Sequence, residues 1–373
     1  MNNKKLEEFN LIIGDGNYSS KYPKGEEFLD YGIPFLSASD FKDKTIDYTK
    51  SKKISPELHN QLKKGHVQKG DLLIVVRGNG VGKTGYIDDE IDECNINAQL
   101  AFIRSNDASL DNEYLYYNMK YNFEKLKSLA TGSAQPQLVI GNLVKYSLSV
   151  PSIENQTKIK TILSNIDEKI KLNNEINNNL YEEAVALYKD KFKGIGQGKK
   201  TIGDYIVPKR GKNLLTRDAI DGNTPVVAGG IAPSAYHNQF NTKSPVITIS
   251  ASGANAGYTN LWTIPVWASD CSYIDDSITK NVYFWYIVLK TRQNEIFDAQ
   301  TGSAQPHIYP QHIAEMSIGE LDIAKVEKYN NLVAPLFKMI GENQKENKKL
   351  SQLRDTLLPK LMNGEIDLDN IES

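Results

Sequence analysis

From Ile153 onward the apolar positions run along one side of a helix. Ile159, Leu163, Ile166 and Ile170 are four, three and four residues apart, and Ile176, Leu180, Ala184 and Leu187 continue the seam. No proline or glycine interrupts this run before Gly194. The spacing predicts one helix from Ile153 to about Phe192 with coiled-coil character, ended by the Gly194–Gly198 linker. At ~1.5 Å per residue, such a helix is a rod of roughly 60 Å. A second seam through Val333, Leu336, Ile340, Leu350 and Leu357 predicts a second helix from about Ile323 to Leu361, with Pro335 as a candidate interruption.

Elsewhere the pattern is one of short strands and turns. Asp71–Val76 reads as a buried strand, Arg77–Gly82 as a glycine-rich turn and Gly85–Ile87 as a returning strand, which together predict a hairpin. Tyr114, Leu115, Tyr117, Met119, Phe123, Leu126 and Leu129 are near helical spacing across 111–130, and Pro136 stops that helix. Residues 199–318 repeat the plan, with a strand at Pro245–Ile249, a small-residue loop at Ser250–Gly257 and an aromatic helix at 281–298. The predicted fold class is α+β. Two β-rich domains, 1–150 and 196–320, alternate with helical segments 151–195 and 321–373.

The chain also repeats itself. Thr131-Gly-Ser-Ala-Gln-Pro136 recurs unchanged at Thr301–Pro306, an offset of 301 − 131 = 170 residues. The same offset relates Leu163 to Val333, Ile166 to Leu336, Ile170 to Ile340, Leu180 to Leu350 and Leu187 to Leu357. It also relates Asn173 to Asn343 and Asn177 to Asn347, which lie on or beside the apolar seams. The economical arrangement is an internal pseudo-twofold repeat whose two helices pack antiparallel as a spacer, the asparagines fixing register at some expense of stability. Similarity fades toward the front of each half. Shared tails suggest a common partner, and divergent fronts suggest two different targets.

Bulk properties narrow the class. The net charge of −2 argues weakly against a stand-alone nucleic-acid binder and suggests that any polyanion is gripped jointly with a partner. Cys94 and Cys271 form no framework, and no apolar run approaches a membrane span, so a cytoplasmic protein off the membrane is expected. Gly78–Thr84 looks like a phosphate loop but has Arg77 where the motif needs glycine, and strand character follows where a helix should open. The five histidines show no metal-ligand spacing, and Ser250 and Ser252 lie in no nucleophile elbow. Neither catalytic nor metal nor cofactor sites are expected.

Recognition suits the polar loops better, because Arg, Lys, Gln, Asn and Ser hold phosphates and read base edges. In the first half the candidate DNA contacts are Arg77, Asn79 and Lys83 on the hairpin tip and Ser133, Gln135 and Gln137 at the repeated segment. In the second half they are Lys209, Arg210 and Lys212, then His237 and Asn238, then Ser250, Ser252 and Asn255, and finally Ser303, Gln305 and His307. The aromatic residues near them, Tyr114, Tyr116, Tyr117, Tyr283 and Trp285, read as core.

Several segments together resemble a known family. They are Lys69–Ile74 with its Arg77–Lys83 continuation, Thr131–Pro136, Pro225–Gly230, Tyr236–Asn238, Ile249–Tyr258, Trp267–Tyr273 and the tail Leu353–Ile366. In order and spacing they are similar to the specificity (S) subunit of type I restriction–modification systems, over nearly the whole chain. The resemblance implies two target-recognition domains that each read half of a split double-stranded DNA site, and helices that dock two methyltransferase (M) subunits. S-adenosylmethionine would sit on the M subunits, and ATP and magnesium on restriction (R) subunits added for phage defence. The chain itself would have no active site, consistent with the absence of an Asp-Pro-Pro-Tyr or Asn-Pro-Pro-Phe segment. Two alternatives stay open: a non-DNA scaffold with two β-rich binding modules on a helical dimeriser, and a specificity subunit of a methylation-only system.

Overall fold

A computed structural model describes residues 2–18, 22–42, 45–78, 80–88, 90–132, 136–302 and 305–368. The chain forms two compact units. Unit 1 combines residues up to Glu168 with those from Leu350 onward, and unit 2 comprises Lys169–Lys349.

In unit 1 a four-stranded antiparallel sheet has the order Leu11–Asp15, Leu100–Ser105, Leu72–Val75, Thr84–Tyr86. A second sheet runs Lys52–Ile54, Ile33–Leu36, Glu93–Ile96, His66–Gln68, with Ile33–Leu36 and Glu93–Ile96 parallel. Leu72–Val75 is buried along its whole length, the signature of a strand covered on both faces. One cover is the helix Asn112–Tyr121, which buries Tyr114, Leu115, Tyr116, Tyr117 and Met119. Asp111 caps this helix by accepting from the Glu113 and Tyr114 amides at 2.9 Å each. The expected single helix over 111–130 is in fact two, Asn112–Tyr121 and Phe123–Ser128, because Asn122 leaves helical geometry at φ −94°, ψ 30°.

Unit 2 repeats this plan. Its main sheet has the order Lys209–Arg210, Cys271–Asp275, Val246–Ser250, Thr259–Trp262, and a three-stranded sheet joins Ala235–His237, Thr224–Val227 and Trp267–Ala268. Its aromatic helix is likewise split, into Val282–Thr291 and Gln293–Asp298. Trp285 is buried and Tyr283 packs against the same core, as expected, and Tyr286 is buried with them.

The first long helix spans Ile153–Lys191 and the second Ile323–Met362. The second runs on through Pro335, contrary to the expected interruption. Burial of the flanking Val333 and Phe337 (0% and 1% exposed) supplies the reason. Each fully buried side chain of this size stabilises by about 1.5–3 kcal/mol, which together offsets the roughly 3 kcal/mol that a helical proline costs.

Of the seam positions, Leu163 and Ile166 are buried in unit 1, where Leu357 packs partly exposed against the same core. In unit 2 Val333 is buried, and Leu187, Leu336 and Ile340 are partly buried against its core. Ile170, Leu180 and Leu350 are half-buried. Between Asp167 and Ala184 the buried position of the first helix is Asn173. Its Nδ2 donates to Glu346 Oε2 at 2.7 Å and Asn347 Oδ1 at 2.8 Å, while Asn343 donates to Asn177 at 2.9 Å. These pairs run in opposite chain directions, so the helices are antiparallel in unit 2.

Buried amides tie each β-rich part to its helix. Gln156 accepts from the Asp111 amide at 2.9 Å and donates to the carbonyls of Ser109 and Pro151. In unit 2, Asn330 accepts from the amides of Tyr283 and Phe284 at 3.1 and 3.2 Å and so fills the open N-terminus of the aromatic helix.

Candidate nucleic-acid interface

The glycine-rich segment is the tip of a hairpin between antiparallel strands Leu72–Val75 and Thr84–Tyr86. It is not the strand-to-helix turn of a phosphate loop. Gly82 N donates to Val75 O at 2.9 Å and Val75 N to Lys83 O at 2.8 Å, which closes the tip. In unit 2 the matching bonds are Gly257 N to Ser250 O at 2.8 Å and Ser250 N to Tyr258 O at 3.0 Å. Gly82 and Gly257 have φ of 91° and 86°, a left-handed geometry that a side chain would strain.

The repeated hexapeptide is pinned to this tip. Gly78 N donates to Pro136 O at 3.2 Å and Leu138 N to Val76 O at 2.9 Å; Gly253 N donates to Pro306 O at 3.1 Å and Ile308 N to Ala251 O at 3.0 Å. Each hexapeptide is also closed on itself. Thr131 and Gln137 exchange both backbone bonds, as do Thr301 and His307. The turn needs Gly132 and Gly302, at φ 91° and 90°. The sequence predicts a domain boundary at the hexapeptide; in the structure Pro136 and Pro306, at its end, are bonded to the two hairpin tips.

Side chains on that surface differ between the units. In unit 1 the Arg77 guanidinium lies over the Tyr18 ring, 5.2 Å from its centre. The Gln137 amide oxygen, assigned by its partners, accepts from Arg77 Nε and Nη2 at 3.1 and 3.2 Å. Tyr18 donates to Asp15 at 2.6 Å, and Lys64 pairs with the same carboxylate at 3.1 Å. Burial raises the Asp15 carboxyl, but Tyr18 and Lys64 outweigh it and hold the group below its ordinary value. Lys83 is exposed at the tip.

In unit 2, Arg210 and the Ser252 hydroxyl both donate to Asp270. Lys209 and Lys212 are exposed beside Arg210, and Asn238 and Gln305 are exposed elsewhere in the unit. Asn255 and His307 are half-exposed. Two expected contacts are corrected. Ser250 is 3% exposed and spends its hydroxyl on Gly229 O at 2.8 Å. His237 is 5% exposed, accepts from the Ile220 amide at 3.0 Å and packs edge-on against Trp267. Both serve the unit's own interior. Asn79, Ser133, Gln135 and Ser303 lie outside the described residues. Asp15, Tyr18, Lys64 and Asp270 were missed as contributors; no motif marks them, because they meet the loops only in three dimensions.

Residues 2–182 match the family described as the type I restriction modification DNA specificity domain. The chain is 25% identical to the type I restriction enzyme MjaIX specificity subunit of Methanocaldococcus jannaschii, over 99% of this chain and 94% of the relative. Residues 2–182 thus belong to the type I restriction–modification specificity domains. Another relative in this family, a type I specificity subunit of Mycoplasma pneumoniae, is 26% identical over 68% of this chain and 72% of its own length. The fold is that of the type I system S subunit from M. genitalium, with a TM-score of 0.62, 19% identity and coverage of 96% and 95% of the two chains. For a specificity subunit of this family, the paired loops are the natural candidates for the target-facing surface. They are built alike in both units and dressed differently.

Proposed function

We propose that this chain is the DNA-reading subunit of a type I restriction–modification complex, with each unit reading one half of a split target. The supporting observation is the duplicated hairpin–hexapeptide pair, whose backbone bonds recur one for one while Arg77, Lys83 and Gln137 give way to Ser252, Tyr258 and His307. A conserved frame with exchanged donors and acceptors is what two different base sequences require. In unit 1 the contacts are Arg77 and Lys83, with Gln137 holding Arg77 in place. In unit 2 they are Lys209, Arg210, Lys212, Asn238, Ser252, Asn255, Gln305 and His307.

In this reading the subunit performs no chemistry. Two M subunits bound to the helices carry S-adenosylmethionine and methylate adenine. R subunits join through the complex and bring ATP and magnesium. The near-neutral charge of the chain fits joint gripping of DNA with the M subunits. The test is to express the chain with its methyltransferase subunit in a host lacking adenine methylation and sequence the methylome. A bipartite methylated motif is expected; M subunit activity unchanged by the chain, with no motif, would refute the reading.

A further inference from the structure

Backbone hydrogen bonds set up an exact structural correspondence between positions that sequence offset hides. Gly16 N donates to Leu100 O at 2.9 Å, and Gly211 N to Cys271 O at 2.8 Å. Val76 N donates to Gln99 O at 2.7 Å, and Ala251 N to Asp270 O at 3.2 Å. Position 15 therefore corresponds to 210 and position 99 to 270. With the loop bonds given above, 77 corresponds to 252 and 137 to 307.

At three of these four places the side chains differ in charge, and at the fourth Gln137 gives way to His307. Unit 1 has an acid, Asp15, where unit 2 has the guanidinium of Arg210. Unit 1 has the guanidinium of Arg77 where unit 2 has Ser252, and neutral Gln99 where unit 2 has Asp270. Each unit thus presents one arginine at the same surface, supplied by the glycine-rich tip in unit 1 and by the opposite strand in unit 2. Both are anchored at one edge. Gln137 occupies the Nε–Nη2 edge of Arg77, and among the described residues no hydrogen-bond partner meets its Nη1–Nη2 end. Asp270 holds Arg210, whose side chain remains 41% exposed. An anchored planar fork loses little freedom on binding and matches two adjacent acceptors.

We propose that positions 15/210, 77/252, 99/270 and 137/307 are the specificity-determining set of each unit. Arg77 reads a guanine in one half-site and Arg210 a guanine in the other, with Gln137 and Asp270 as positioning residues. The guanine O6/N7 edge and a pair of phosphate oxygens offer the same acceptor chemistry; base reading is favoured because the arginines occupy the places where the two units differ. The proposal rests on the DNA-reading function above.

The test is methylome sequencing of the chain co-expressed with its methyltransferase subunit, comparing wild type with Arg77→Ala, Arg77→Lys, Gln137→Leu, Gln137→Glu and Arg210→Ala. Arg77→Ala should relax one base position in one half of the motif, by about 5- to 150-fold in preference, and leave the other half intact. Arg210→Ala should do the reverse. Arg77→Lys should also relax the position, since an ammonium lacks the fork. Gln137→Leu should relax the same position as Arg77→Ala, and Gln137→Glu, which still accepts from the guanidinium, should restore it. A uniform loss of methylation with an unchanged motif, retained by Arg77→Lys, assigns the arginine to phosphate and overturns the proposal. Unchanged motif and occupancy in both arginine variants also overturn it. A wild-type complex that leaves no motif refutes the parent function and this inference with it, an outcome distinct from variants that leave the motif whole.

Discussion

Asn173 and Asn347 face each other across the two long helices of unit 2, the first donating to the second at 2.8 Å. Asn173 is 1% exposed and also donates to Glu346. Replacing it with leucine leaves the half-buried Asn347 Oδ1 without this donor, so Asn173→Leu should destabilise the chain by about 1–2 kcal/mol despite the added apolar surface. In Asn173→Leu/Asn347→Leu the acceptor facing it is removed as well, and much of the loss should return. Urea unfolding of the four chains of this cycle measures the coupling; additive single effects would show that the pair does not interact.

Arg354 is 1% exposed and pairs with Asp167 and Asp355. Asp167 also accepts from the Tyr117 hydroxyl at 3.1 Å and lies 3.6 Å from the Lys120 ammonium. Arg354→Met removes the counter-ion but keeps the volume. Because it leaves the partly buried Asp167 carboxylate less well compensated, a loss of roughly 2–3 kcal/mol is expected. The additional change Asp167→Leu should recover most of it, as read by the denaturant midpoint.

The same carboxylate gives a pH signature. Burial pushes Asp167 above the usual carboxylate range, with Lys120 and Tyr117 opposing. The folded chain then holds this proton more tightly than the unfolded chain. The stability linked to it is complete below the ordinary value of about 3.9 and is lost as pH rises through the folded value. Comparing unfolding midpoints of wild type and Asp167→Asn from about pH 4 to 7, the variant should lack this decline; parallel curves would contradict the assignment.

Gly341 lets the 262–264 loop approach the second helix. A Cβ at this position would stand 2.2 Å from Thr263 Oγ1 and 2.7 Å from its Cβ. Alanine improves helix propensity by about 1 kcal/mol, but overpacking costs about 1–3 kcal/mol, so Gly341→Ala should lower Tm. Thr263→Ala removes the nearest atom, and in the double variant part of the Tm should return. An increase in Tm for Gly341→Ala alone would mean that the loop moves freely.

Lys83 is exposed on a tip that carries no acidic partner for it among the described ion pairs. If it meets a phosphate, Lys83→Ala should weaken binding of the assembled complex to all duplexes alike and reduce the slope of log K against log salt by about 0.9. Fluorescence anisotropy across a salt series would show this, and an unchanged slope would remove Lys83 from the interface.

The helices were legible because a seam at helical period leaves little choice of conformation over such a length. The hairpin tips were legible because glycines punctuate strands. The corresponding set at the loops was not. Its sequence offsets drift from 307 − 137 = 170 through 270 − 99 = 171 and 252 − 77 = 175 to 210 − 15 = 195, so insertions hide the equivalence from any fixed-offset comparison. Ser250 and His237 are buried although their polar type predicts a surface position. Ser250 ends a strand that is buried at every residue, where a hydroxyl survives by bonding to a backbone carbonyl.

The ion pair of Asp167 with Arg354 has no copy in unit 2. The offset of 170 places Phe337 and Ala184 there, both in that unit's apolar core. The present first half cannot pair with a copy of itself without setting Asp167 opposite Ala184, a charge against a methyl group. The two helices are therefore not interchangeable at this layer, and a chain built from two copies of the first half would lose the arginine that its own Asp167 uses.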